Sequence, residues 1–250
     1  MRSWAILTLA GLAGLLGPAE AGAQASATSV QVKAVYELFT SQGCSSCPAA
    51  DEVLARLAKR DDVIALTLPV DYWDYLGWRD TLARPEFTAR QKAYAKVLGD
   101  GMVFTPQAIV SGIANVNGSS TDKIDRAIDK SAKLFSATRV PVMLSAADGR
   151  LEIDVASAPE GVAAKEATVW LAAIAGSVKV PITRGENQGR TIVYSNVVRA
   201  LMPVGTWNGK EMVVQLDRSS FMHGSADRCA VLVQQGHGGP IVGAAILDGI

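Results

Sequence analysis

The chain lacks net charge: Lys and Arg total 24 and Asp and Glu total 24, so nothing basic suggests nucleic acid. It is sparing with histidine, and its 2 histidines, His223 and His237, stand at a sequence distance that carries no metal-ligand spacing. Beyond the first residues no stretch is long and apolar enough to form a transmembrane helix. Cysteine is scarce as well, and the count of 3 is odd, so one thiol has no intramolecular mate. Cys229, inside an apolar run, is most simply that one, a small buried core residue.

The amino terminus reads as a targeting segment. Arg2 supplies a short positive region, and Trp4 to Leu16 is an apolar stretch too short to span a bilayer. Pro18 and Gly22 interrupt it, and Ala23-Gln24-Ala25 has the small-x-small form that signal peptidases cut. Residues 1–25 are therefore expected to be a cleaved signal peptide, and the mature chain to be secreted, most simply into a bacterial periplasm. An uncleaved membrane anchor is the alternative. About 225 residues remain, enough for one large or two small domains.

The other two cysteines lie in Gly43-Cys44-Ser45-Ser46-Cys47-Pro48, between a strand pattern at Val30 to Phe39 and a helix pattern at Ala49 to Leu57. A helix beginning at the first cysteine would favour a thiolate there. Exchange with disulfides needs an exposed nucleophile of lowered pKa and a resolving thiol within reach, roles that fit Cys44 and Cys47. Ser45 and Ser46 add hydroxyl donors but no cation. A permanently oxidised small-loop disulfide and a metal pair are the competing readings.

An apolar run at Val63 to Val70 suits a buried parallel strand. Asp71 to Gly101 opens with a cluster of aromatics and continues, after Pro85, as a helix from Glu86 to Leu98. Val103 to Gly112 reads as a strand led by Pro106, and Thr121-Asp122 caps a helix running to about Phe135. From Thr138 the texture changes to short strands at Pro141–Ala146, Leu151–Ala156, Ala167–Ile174, Thr191–Leu201, Lys210–Leu216, Cys229–Gln235 and Ile241–Leu247. This order predicts an α/β fold: a thioredoxin-like domain over 30–136 with a helical insertion at about 72–101, then a β-rich, sandwich-like domain over 137–250.

Glu37-Leu38-Phe39-Thr40-Ser41-Gln42-Gly43-Cys44-Ser45-Ser46-Cys47-Pro48, Val70-Asp71-Tyr72-Trp73, Thr105-Pro106-Gln107 and Arg184-Gly185-Glu186-Asn187 together resemble a family of secreted bacterial thioredoxin-like proteins with no assigned function. The resemblance implies the fold, with Thr105-Pro106 at the place of a cis-proline that faces the dithiol and leaves the preceding backbone free to pair with substrate. Thioredoxins proper carry a Trp before the motif and Gly-Pro inside it; Gly43 and Ser45-Ser46 stand there, so no potential transfers. They also place a buried acid on the first strand, which would make Glu37 the proton acceptor for Cys47; a solvent-facing glutamate is the equal alternative.

Asp71, Trp73, Asp74 and Trp78 follow the second strand, where an open α/β sheet borders its ligand crevice. Trp73 could wall a peptide groove and Asp71 hold a loop or a proton, whereas Trp78 reads as a core residue of the insertion. For the Arg184-Gly185-Glu186-Asn187 turn and Arg199, an ion pair fixing the turn is the commoner explanation and a polar binding loop the rarer. The expectation is a periplasmic thiol–disulfide exchange protein with Cys44, Cys47, Pro106 and Glu37 as the reacting set and Thr105, Trp73 and Asp71 at the substrate. Its partners are exported protein thiols or disulfides, or a redox partner protein, and no cofactor is implied. The alternative is a copper- or zinc-handling or protein-binding module on the same scaffold, with His223 and His237 completing a Cys₂His₂ set.

Overall fold

The structure is a computed structural model that describes residues 25–28, 32–99 and 101–250. Apart from Ala25, the expected signal peptide lies outside the described residues. Among the described residues no helix is long and apolar enough to cross a membrane.

Strand β1 spans Ala25–Thr28 and β2 spans Ala34–Thr40. Every residue of β2 is buried, which suits a strand covered on both faces. Helix α1 runs Cys47–Leu57 and leads to β3 at Val63–Pro69, parallel to β2 with Ala34 opposite Val63. The 72–84 segment contains one 3-10 turn at Asp74–Leu76 and precedes α2 at Pro85–Leu98, which ends on Gly99 in the left-handed region (φ 84°). Strand β4 (Gln107–Val110) runs antiparallel to β2, β5 (Ala114–Asn117) pairs with β4, and α3 spans Thr121–Leu134. The Val103–Gly112 strand is thus shorter than its pattern suggests, and β5 is an addition the sequence pattern did not show.

Each of the seven expected later strands forms: β6 (Val142–Ala147), β7 (Arg150–Val155), β8 (Ala167–Pro181), β9 (Thr191–Trp207), β10 (Met212–Asp217), β11 (Arg228–Gln235) and β12 (Ile241–Asp248). Their assembly differs from a self-contained sandwich. Strands β1, β6, β7 and β10 make one sheet in the order β1-β6-β7-β10. The others join the strands of the first half in a single mixed sheet, β12-β11-β8-β9-β3-β2-β4-β5. The seam is the parallel contact of β9 with β3 at Val197 and Thr67. There the Thr67 hydroxyl donates to the Ser195 carbonyl at 2.7 Å and the Asn196 amide donates to the Ala65 carbonyl at 2.9 Å. The sheet therefore runs across residue 136, where the composition changes.

Alternation along β2 decides which layer each residue meets. Ala34, Tyr36 and Leu38 pack with α1 and α3, while Val35 and Phe39 share a core with Phe87 and Tyr94 of α2. The small sheet covers Val169, Leu171, Val231 and Val233 of the large one. Cys229 lies in that layer, fully buried, with its thiol pushed up to about 12 by desolvation and the nearby Asp248.

Candidate functional site

Cys44 and Cys47 are bridged, with their Cα atoms 5.4 Å apart. The helix begins at Cys47, not at Cys44, which corrects the position expected for the first sulfur. Ser45 and Ser46 turn the chain, the Cys47 amide donates to the Cys44 carbonyl at 3.2 Å, and Pro48 sits in the first helical turn where no amide is missed. Both half-cystines are buried, Cys44 at 1% exposure and Cys47 at 0%, although Ser45 and Ser46 between them face solvent. An exposed nucleophile is therefore not what this conformation presents.

Two segments hold the cysteine loop. From the 72–84 segment, Asp80 accepts the Gln42 amide at 2.7 Å and the amides of Leu82 and Ala83, and the Trp78 indole donates to Gln42 Oε1 at 2.8 Å. Trp73 packs on Gly43 so closely that a Cβ there would come 3.2 Å from the Trp73 Cβ. From the turn joining β8 to β9, the Asn187 side-chain amide donates to the carbonyls of Gln42 and Cys44, both at 2.9 Å. The neighbouring Glu186 accepts the Ser45 amide at 3.1 Å. Arg184-Gly185-Glu186-Asn187 is thus a clasp on the dithiol loop, and an ion pair within the turn is not what fixes it. Its remoteness, 143 residues from Cys44 to Asn187, hides this contact from any local pattern.

The Thr105–Pro106 peptide bond is cis. Pro106 precedes the β4 residue opposite Phe39, at the same end of the sheet as the cysteine loop. A Cβ on Gly118 would touch both Pro106 and Ala50 of α1. Trp73 Nε1 is buried without a hydrogen-bond partner among the described residues, and the Tyr72 hydroxyl lies beside the Thr105 and Gln91 side chains. Asp71 accepts the Thr88 hydroxyl at 2.6 Å, an anchor for the start of α2.

Glu37 does not face the sulfurs. It alternates onto the α2 side of β2, where Arg90 donates to both carboxylate oxygens at 2.6 and 3.3 Å and the Tyr94 hydroxyl also donates to it. Gln234 completes the network, accepting from Arg90 at 2.9 Å and donating to the Tyr94 hydroxyl at 2.9 Å. Burial opposes the Arg90 charge, but the Glu37 carboxylate outweighs it and keeps the guanidinium protonated. The strand periodicity of two, combined with α1 lying on the other face, is the reason Glu37 cannot serve Cys47.

A second buried acid, Asp51, lies on α1. Asp51 stands four residues after Cys47 on α1, 5% exposed. Its Oδ1 accepts the Thr40 hydroxyl at 2.9 Å, and its Oδ2 has no hydrogen-bond partner among the described residues. Burial drives its pKa up to about 8 against the pull of the Thr40 hydrogen bond, and Asp80 and Glu52 add to the rise. The signal available in sequence was a carboxylate at i+4 from a helical cysteine, which alone is too common to single out.

Among the described residues no group of three or more His, Cys, Asp and Glu side chains is placed to hold a metal ion. His237 lines a separate cavity of about 340 Å³ with Arg90, Trp170 and Gln234 on the α2 side, and His223 is in an exposed turn. The Cys₂His₂ set is not brought together.

Fold and site define a mixed α/β protein carrying a bridged Cys-x-x-Cys at the head of a helix. The chain belongs to the family described as protein of unknown function DUF1223, whose model matches residues 35–234. It is similar to a crystal structure of a protein from Agrobacterium tumefaciens, 37% identical, covering 88% of this chain and 95% of that one with a TM-score of 0.77. It is also similar in fold to HBP35 of Porphyromonas gingivalis, 11% identical, covering 86% of this chain and 74% of that one with a TM-score of 0.58. No curated protein matches the chain.

Proposed function

We propose that this is a secreted, periplasmic thiol–disulfide exchange protein built on a thioredoxin-like arrangement. The observation that carries the reading is the bridged Cys44–Cys47 pair at the start of α1, with the cis Thr105–Pro106 bond at the same end of the sheet. Parallel β2 and β3 joined through α1, with antiparallel β4 and β5 beyond, supply the surrounding frame. A substrate thiolate attacks Cys44 Sγ, the Cys44–Cys47 bond breaks, and Cys47 leaves as the thiolate; the reverse sequence oxidises a substrate dithiol. The partner is an exported protein thiol or disulfide, and Thr105 and Trp73 stand where its backbone would lie.

Access sets the condition for this chemistry. With Cys44 1% exposed, the cysteine loop must open before a protein sulfur can reach it, and the Glu186 and Asn187 hydrogen bonds hold that loop closed. The same burial favours a second reading, in which the disulfide is a permanent staple of the loop. One experiment separates them: Cys47→Ser, expressed with its export signal, traps mixed disulfides through Cys44 if exchange occurs. A chain whose native disulfide resists glutathione, and whose Cys47→Ser form traps nothing, is stapled and not a catalyst.

A further inference from the structure

The exchange reading leaves the proton of the resolving sulfur unassigned, because Glu37 is turned away. Resting on that reading, we propose that Asp51 holds and returns the proton of Cys47 Sγ during exchange. Residues four apart on a helix have Cβ atoms about 5–6 Å apart, and each side chain leans toward the turn before it. Asp51 therefore leans toward the first turn of α1, the turn that carries Cys47. Its Oδ1 is already committed to Thr40, while Oδ2 is buried and unpartnered, so one carboxyl oxygen is fixed and the other is open.

The groups around Asp51 explain why it keeps a proton. From β2 come the Thr40 hydroxyl and the Tyr36 phenol, from the 72–84 segment Asp80, from β9 the Tyr194 phenol, and from α1 itself Glu52. None of these is a cation. The tyrosines are themselves held above their ordinary range, first by burial and then by Asp51. A carboxylate would be desolvated and flanked by like charge, so the neutral acid prevails at neutral pH.

In reduction of the Cys44–Cys47 disulfide, the substrate thiolate forms a bond to Cys44 Sγ, Cys47 departs with the electron pair, and it takes the Asp51 proton. In resolution of a mixed disulfide, the Asp51 carboxylate removes the Cys47 proton. Cys47 Sγ then bonds to Cys44 Sγ and the substrate leaves as its thiolate.

The test follows a single turnover of the mature protein with glutathione disulfide between pH 5 and pH 9. Formation and decay of the Cys44–glutathione mixed disulfide are measured in the native protein, Asp51→Asn and Asp51→Glu. Asp51→Asn keeps the Thr40 hydrogen bond and is expected to form the mixed disulfide at the native rate but to resolve it about tenfold or more slowly at pH 7. It loses the native inflection in the pH profile, and Asp51→Glu restores part of both. An independent readout needs no variant: the Asp51 carboxyl ¹³C resonance of the oxidised native protein is expected to titrate near pH 8, well above the ordinary carboxyl range. Equal decay in native and Asp51→Asn protein at every pH, or a carboxyl titrating in the ordinary range, overturns the role of Asp51 while leaving exchange intact. A native protein that forms no mixed disulfide overturns both.

Discussion

Replacing Arg90 by Met tests whether Glu37 is an anchor of the fold or an acid in waiting. The Glu37 carboxylate is 1% exposed and the Arg90 side chain 8%, so the pair is out of reach of water. Arg90→Met removes both guanidinium hydrogen bonds to Glu37 and the one to Gln234, leaving the Tyr94 hydroxyl beside an uncompensated buried carboxylate. Breaking a buried ion pair from one side costs about 3–5 kcal/mol. That is a large share of the roughly 5–15 kcal/mol that holds a domain together. At about 2–4 °C per kcal/mol for a chain of this size, the unfolding midpoint should fall by about 6–20 °C. The double replacement Glu37→Leu with Arg90→Met removes both charges and should recover much of the loss, with the difference measured as a coupling energy in a double-mutant cycle. Urea and thermal unfolding of all forms give the stabilities, and glutathione exchange on the folded protein gives the activity. Because Glu37 faces α2, Glu37→Gln should lower stability yet leave the exchange rate per folded molecule within about twofold, well short of the losses general acid–base groups show. An Arg90→Met form destabilised by less than about 1 kcal/mol, or a Glu37→Gln form with native stability and slowed exchange, would refute the assignment.

The clasp makes a second prediction. Asn187→Ala deletes two buried hydrogen bonds to the cysteine loop, so it should cost about 1–3 kcal/mol and raise the rate at which dithiothreitol reduces Cys44–Cys47; unchanged reduction kinetics would show that the clasp does not govern access. The third concerns pH. Asp51 has a folded-state pKa raised to about 8 from 3.8, so the folded state binds the extra proton between those values. Its contribution is fully present below the unfolded pKa and lost as pH rises toward 8, at up to about 1.4 kcal/mol per pH unit. Asp51→Asn should therefore gain on the native protein as pH rises through that window, measured by urea unfolding of the oxidised forms; a constant difference from pH 4 to pH 9 would contradict the burial argument.

Local patterns carried the elements well, because period and punctuation are properties of neighbouring residues. Val63 to Val70, Glu86 to Leu98 with Gly99, and most of the later strands formed close to their patterns, whereas β8 and β9 run on to Pro181 and Trp207, past the expected ends at Ile174 and Leu201. The start of α1 is not legible locally, because Ser45 and Ser46 can end a turn or start a helix; in the structure they form a turn and α1 begins at Cys47. The candidate site was half legible. Cys44, Cys47 and Pro106 stand out by residue type and order, whereas Asn187, Asp80 and Asp51 are ordinary polar residues given meaning by what they touch.

The sequence by itself determined that two cysteines sit between a strand and a helix, that a proline opens the later strand, and that the second half is β-rich. Those are matters of residue type at short spacing. The tertiary structure alone decided that β9 docks beside β3 and joins both halves in one sheet, since pairing across 130 residues depends on register and burial. It also decided how the two acids are placed: the pleat of β2 sends Glu37 to Arg90 on the α2 side, while Asp51 is buried on α1 one helical turn after Cys47.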